Sequence, residues 1–233
     1  MPIPAQFLDD PLPPEPLVLA ADWLAEARRL KQQPNPDAMV VATVDPAGLP
    51  SARVVLCKEI VVRPGYLAFF TNYDSRKGQE LAARPRAAVV LHWDHLHRQV
   101  RIEGRVLRAP ATESDAYFAS RPWQRRIGAW ASAQSQPVAS REVLEQQVVA
   151  VAGRFGAPVP GPEDVATDPG VTIPRPPHWG GYHVWVETIE LWVEGESRIH
   201  DRARWSRNLG AATGAEGAGA FVPGPWSVTR LQP

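Results

Sequence analysis

Short runs of β-branched and aromatic residues recur from Ala38 to the end of the chain, several alternating polar with apolar at a period of two, and they leave room for few architectures. AMVVATV from Ala38, the turn DPAG at Asp45 to Gly48 and SARVVLCKEI form a hairpin pattern, and after Arg63-Pro64-Gly65 the segment YLAFFT continues it. RAAVVLHW and RQVRIEGRVLR read as a second antiparallel pair joined across DHLH. GYHVWVETIELWV and ESRIHDRARW follow, and PWSVTRL reads as a last strand. Six or seven antiparallel strands with inserted helices point to a mainly β, α+β architecture built as a small barrel, and away from a parallel α/β sheet. The helices are LVLAADWLAEARRLKQQ from Leu17, ending before Pro34, a short one capped by Ser75 and stopped by Pro85, then ATESDAYFAS and SREVLEQQVVAVAGRF. Residues 1–16 read as a flexible proline-rich arm, 17–233 as a single domain, and 208–220 as a low-complexity surface loop.

Composition narrows the function. Lys plus Arg and Asp plus Glu each total 25, so the net charge is zero and no chain-wide basic field suggests nucleic acid. One cysteine, Cys57, excludes an intrachain disulfide framework and a thiolate cluster for zinc. The start MPIPAQFLDDPLPPEP has neither the basic nor the apolar segment of a signal peptide, and no apolar run reaches membrane-spanning length. A cytoplasmic protein with no membrane partner is expected. HWDHLH matches no zinc spacing, so no metal site is expected. Walker, G-x-G-x-x-G and G-x-S-x-G patterns are missing.

The remaining chemistry is cationic and local. FFTNYDSRKGQE starts a helix at Ser75 with Arg76 and Lys77 in its first turn, where the helix dipole disfavours cations by ~0.3–1 kcal/mol each. A bound phosphate would reverse that preference, since it would meet free backbone N–H groups as well. In RVVLCK, alternation puts Arg53 with Val55 and Cys57 on one face and Lys58 with Val54 and Leu56 on the other, so a cation accompanies whichever face is buried. Gln99, Arg101, Glu103 and Arg105 share one face of RQVRIEGRV, and Gly104 within it marks a bulge or a close backbone approach. Tyr117 and Arg121 stand at i and i+4, able to grip one anion. In SRIHDR, alternation puts Arg198, His200 and Arg202 on one face. Trp130 and Trp192 are candidates to line an aromatic cofactor pocket.

RVVLCK, FFTNYDSRKG, HRQVRIEG, SDAYFASRP, IGAWASAQS, PRPPHWGGY, IELW, SRIHDR and the closing RLQP, in this order, resemble the pyridoxine/pyridoxamine 5'-phosphate oxidase family, from about Asp37 to the C-terminus. The resemblance implies a homodimer of antiparallel split β-barrels binding FMN in clefts at the dimer interface. It implies that the helix-start anion is the FMN phosphate, held by Ser75, Arg76 and Lys77, with Phe70 and Thr71 beside them and the strand run Arg53, Val54, Val55, Leu56, Cys57 and Lys58. Gln99, Trp192 and Arg202 would contact the flavin, and Gln134 and Ser135 would reach across from the partner subunit. The substrate phosphate would fall to Lys58, Tyr117 and Arg121, with Arg125 where the family often carries serine, and the pyridine end to the catalytic candidates Arg198 and His200. The implied reaction oxidises pyridoxamine or pyridoxine 5'-phosphate to pyridoxal 5'-phosphate, with dioxygen reduced to hydrogen peroxide. Two alternatives keep the scaffold: a phenazine-type FMN oxidase, and a non-catalytic binder of FMN or pyridoxal phosphate.

Overall fold

Proline at the first helical position and a Glu15 carboxylate accepting from the Leu17 N–H start the first helix, α1 (Pro16–Leu30). Its buried residues Leu17, Ala20, Leu24 and Ala27 recur every three or four positions, and Lys31 closes it in a left-handed conformation. The computed structural model describes residues 7–161, 169–212 and 220–233. The parts of the expected arm and loops at 1–6, 162–168 and 213–219 lie outside the described residues.

After α1 come β1 (Ala38–Val44), β2 (Pro50–Leu56), β3 (Glu59–Val61), β4 (Tyr66–Asn72), α2 (Arg76–Ala83), β5 (Arg86–Trp93) and β6 (Arg98–Arg108). Three helices follow, α3 (Ala111–Ser120), α4 (Trp123–Ala131) and α5 (Arg141–Phe155), and then β7 (Trp179–Val193), β8 (Asp201–Ser206), β9 (Leu209–Ala211), β10 (Phe221–Pro223) and β11 (Ser227–Arg230). The main sheet runs β11-β8-β7-β6-β5-β1-β2, with β4 pairing β3 and β7. The pairs β1–β2, β1–β5, β5–β6, β7–β8 and β8–β11 are antiparallel.

The chain divides into two compact units. The first takes residues up to Phe69, Ala83–Leu107 and His183 onward, and the second Phe70–Ala82 and Arg108–Tyr182. Met39, Val41, Leu67, Phe69, Val89, Leu91, Val100, Ile102, Ile189 and Trp205 form the core of the first. Gly104 has a packing reason there: a Cβ on it would stand 1.8 Å from the Trp185 carbonyl oxygen, so β6 and β7 approach too closely for any side chain. In the second, Phe118, Trp123, Ile127, Ala152, Ile173 and Trp179 pack together, which makes α4 a core helix that periodicity did not mark.

Two expectations are corrected. SARVVLCKEI is not one strand: it breaks at Cys57 and Lys58, whose carbonyls are taken by Arg28 Nη2 at 3.3 and 3.0 Å. ESRIHDRARW is not one strand either, for the backbone kinks with positive φ at Ser197 and Arg198 and pairing begins only at Asp201. The described part of the arm is tied down, with Leu8 buried and its N–H on Asp201 Oδ2 at 2.8 Å, Asp9 O accepting from Arg230 and Pro13 O from Trp205 Nε1. The low-complexity tract begins with β9, which pairs with β10.

Candidate active site

The candidate residues fall into two sets, one in each unit. In the second unit the chain leaves β4 through Asn72, whose Oδ1 accepts the Asp74 N–H at 2.7 Å and whose Nδ2 donates to Ser132 O at 3.2 Å. That turn delivers a fully buried Ser75, whose Oγ donates to Asn72 O and accepts the Gly78 N–H, so Ser75 is the N-cap expected from sequence. Gly78 is required: a Cβ there would meet the Tyr73 carbonyl oxygen at 2.0 Å. Lys77, only 7% exposed, donates from Nζ to Ser75 Oγ at 3.0 Å and to Gln134 Oε1 at 2.7 Å. Thr71 Oγ1 donates to the same Gln134 oxygen at 3.2 Å. Arg76 behaves differently, since its 60% exposed side chain is paired with Glu80 one turn along. Thr71, Ser75, Lys77 and Gln134 are thus brought together within one chain. Ser135 follows in a left-handed conformation and is exposed.

The same unit carries the Tyr117 and Arg121 pair. Tyr117 stacks on Phe70 at 4.0 Å, and Trp179 lies nearly parallel to both rings. The Arg121 guanidinium sits over Trp179 at 4.6 Å, with Nη1 buried and lacking a hydrogen-bond partner among the described residues. Burial pushes this guanidinium below the usual arginine range; the Tyr117 phenol opposes the shift and the Arg125 charge adds to it. An anion placed there would oppose that shift. Arg125 itself is exposed. Trp179 and Asn72 were not singled out from sequence, although the NYD pattern before a helix is a readable side-chain-to-backbone turn.

In the first unit, Arg53 lies on β2 opposite Val41, with its guanidinium donating to Thr43 Oγ1, Val41 O and Ser51 Oγ. Lys58 Nζ stands 4.0 Å from Asp37 Oδ2. Between them Val54 is exposed, Val55 and Leu56 are half-buried, and Cys57 is buried, which pushes its thiol up to about 12. Trp192 and Arg202 are cross-strand partners on β7 and β8. Arg202 donates from Nε and Nη2 to Glu190 Oε1 at 3.1 and 2.9 Å, and Arg101, two residues beyond Gln99 on β6, donates to Glu190 Oε2 at 3.3 Å. Gln99, Arg101, Glu190, Trp192 and Arg202 therefore share one face of three neighbouring strands.

Arg198, His200 and Arg202 do not share a strand face. Ser197 and Arg198 both have positive φ, 56 and 66°, and Arg198 is exposed. His200 packs its ring 4.8 Å from Trp192 and accepts the Gly195 N–H at Nδ1, which puts the proton of the neutral ring on Nε2. HWDHLH forms the β5–β6 turn, with His97 paired to Glu194.

Taken separately, each set suits one part of a flavin mononucleotide. A buried ammonium beside a capped helix start matches a phosphate, and an indole, a guanidinium and an amide on one strand face match a flat heteroaromatic ring with polar edges.

Comparison with known proteins agrees. Residues 25–155 match the family model described as pyridoxamine 5'-phosphate oxidase, and residues 179–233 that of the pyridoxine 5'-phosphate oxidase C-terminal dimerisation region. Proteins named pyridoxine/pyridoxamine 5'-phosphate oxidase from Burkholderia vietnamiensis and Cupriavidus necator are each 46% identical over 94% of this chain and 90% of their own length. The crystal structure of PhzG from Burkholderia lata 383 in complex with tetrahydrophenazine-1-carboxylic acid is 28% identical, covers 96% of this chain and 95% of its own, and gives a TM-score of 0.77. A pyridoxamine 5'-phosphate oxidase-related, FMN binding protein from Nostoc punctiforme is 17% identical over 93% of this chain and 96% of its own, with a TM-score of 0.62, and shares the fold. The architecture is that of the FMN-binding split-barrel proteins, with a C-terminal dimerisation region. Within that class, the chain belongs to the pyridoxine/pyridoxamine 5'-phosphate oxidase family.

Proposed function

We propose that this protein is an FMN-dependent oxidase converting pyridoxamine 5'-phosphate and pyridoxine 5'-phosphate to pyridoxal 5'-phosphate, acting as a cytoplasmic homodimer. The observation that carries the substrate assignment is Arg121, a half-buried guanidinium over Trp179 whose Nη1 has no hydrogen-bond partner among the described residues. A dianionic phosphate is the ligand chemistry that fits it, and Tyr117 and Arg125 join it in that grip. Lys77 and Ser75 hold the cofactor phosphate, with Arg53 as a further cation for it, and Gln99, Trp192 and Arg202 hold the ring. The match of residues 179–233 to a dimerisation region supports the homodimer. No helix among the described residues is long and apolar enough to cross a membrane.

When bound, FMN supplies the two-electron acceptor for oxidation at the carbon attached to the pyridine 4-position and passes the electrons to dioxygen. This chain's part is position and charge. The phosphate grip fixes one end of the substrate, and Arg198 and His200 fix the other. With Nδ1 occupied by the Gly195 N–H, neutral His200 offers an Nε2–H, so it orients the substrate by donating and does not act as a base in that tautomer.

Anaerobic addition of pyridoxine 5'-phosphate to the yellow holoenzyme should bleach the flavin band, and air should restore it with release of hydrogen peroxide. A flavin band unmoved by either phosphorylated vitamer would leave a binder and defeat the oxidase. The 28% identical PhzG structure motivates a second reading, an oxidase of a phenazine precursor. Bleaching by a dihydrophenazine carboxylate but not by the phosphorylated vitamers would favour it.

A further inference from the structure

Glu190 has no part in the scheme above, yet its environment is that of a functional group. Residue 190 lies in the segment IELW on β7, and it is 7% exposed despite its charge. A carboxylate so far removed from water needs partners. Among the described residues it has two, one on each neighbouring strand: Arg202 Nε and Nη2 converge on Oε1, and Arg101 Nη1 reaches Oε2. Arg202 is fixed from a third side, because Nη1 donates to Gln232 O at 3.0 Å.

Donor counting shows what this achieves. A guanidinium has five N–H groups in one plane. Three of them go to Glu190 and Gln232, which leaves one on each terminal nitrogen unassigned among the described residues. The plane is held at the Nε edge, and the two remaining donors form a fork of fixed orientation. Trp192 stands directly across the β7–β8 pair from that guanidinium, two residues along β7 from Glu190. The carboxylate also lies between two cations, so it sets how much positive charge Arg202 presents.

We infer that Glu190 is a positioning residue for the flavin: it orients the Arg202 fork and partly compensates its charge, and so fixes both the retention and the reduction potential of bound FMN. The inference rests on the reading that Arg202 contacts the flavin. Glu190 acts only through Arg202, which separates this role from a structural salt bridge, since the latter would alter folding and leave the flavin potential unchanged. Positive charge near the ring favours the reduced, anionic flavin, so removal of the carboxylate charge should raise the potential.

The test is a double-mutant cycle on the holoenzyme, with Glu190→Gln, Arg202→Ala and the pair. FMN release is followed by the rise in flavin fluorescence on dilution, and the midpoint potential by dye-coupled anaerobic titration. Glu190→Gln should raise the potential and speed FMN release by about tenfold. In the Arg202→Ala background the same substitution should change neither. Glu190→Asp, which keeps the charge but shortens the reach, should speed release while leaving the potential near the wild-type value, and it stands in if Glu190→Gln does not fold. Effects of Glu190→Gln that persist without Arg202, or no effect in either background, would overturn the inference alone. If Arg202→Ala leaves FMN release and potential unchanged, the Arg202 contact fails and the inference fails with it.

Discussion

Replacing Lys77 with methionine separates a ligand-binding cation from a structural one. The ammonium sits in the first turn of α2, which has no acidic residue, and it is nearly buried against Ser75 Oγ and Gln134 Oε1. Without an anion, the helix dipole makes this placement unfavourable by ~0.3–1 kcal/mol. Methionine fills similar space, and Gln134, which is exposed, keeps Thr71 and water as partners. The apo variant should therefore stay within ~1 kcal/mol of wild type. With FMN the balance reverses, because a charge-assisted hydrogen bond to phosphate is worth ~1.5–3 kcal/mol. Affinity for FMN should then fall roughly 10- to 150-fold. Thermal unfolding with and without FMN reads both quantities, since a 100-fold weaker cofactor forfeits about 2.7 kcal/mol of ligand-linked stability at saturation. An apo variant destabilised by more than ~2 kcal/mol with FMN affinity intact would make Lys77 a tie between α2 and the Gln134 turn, and the phosphate argument would fail.

Arg198→Ala should cut turnover of either phosphorylated vitamer by about 10- to 100-fold with FMN content unchanged; loss of the flavin instead would put Arg198 in the cofactor site. Gly104→Ala should cost at least ~1–3 kcal/mol by denaturant unfolding, since its new methyl has to displace the Trp185 carbonyl; a wild-type midpoint would refute that close approach. Cys57 should resist alkylation at pH 8 in the native protein, its thiol being raised from 9.0 to about 12 by burial. Because the folded value is the higher one, the stability this group contributes is complete below pH ~9 and is lost as pH rises toward 12, by about 1.4 kcal/mol per unit within that window. Rapid labelling under native conditions would contradict it.

What could be read from the sequence was what neighbouring residues determine. Ser75 as a cap, the Arg76 and Lys77 cations, the Tyr117 and Arg121 spacing and the close packing at Gly104 are all carried by a few adjacent positions. Features that depend on distant partners were not readable. The β2 break is set by Arg28, some 30 residues upstream of the carbonyls it takes. The arm is held by Asp201 and Arg230, near the other end of the chain. Alternation in SRIHDR misled because period two says nothing about a left-handed backbone, and Ser197 is not a residue that announces one. Glu190 escaped notice in IELW because its two arginines come from separate strands.

The loop before β8 holds two successive side-chain-bearing residues, Ser197 and Arg198, in a conformation that costs ~1–2 kcal/mol apiece. It is closed by Gly195, where a methyl would strike the Ile199 carbonyl at 1.7 Å. With Arg198 in its proposed substrate-binding role, heat resistance and catalysis pull this loop in opposite directions. Selection for thermal endurance alone would favour glycine at 197, easing the backbone while letting the Arg198 guanidinium wander, so a hardier lineage would be expected to become a slower one.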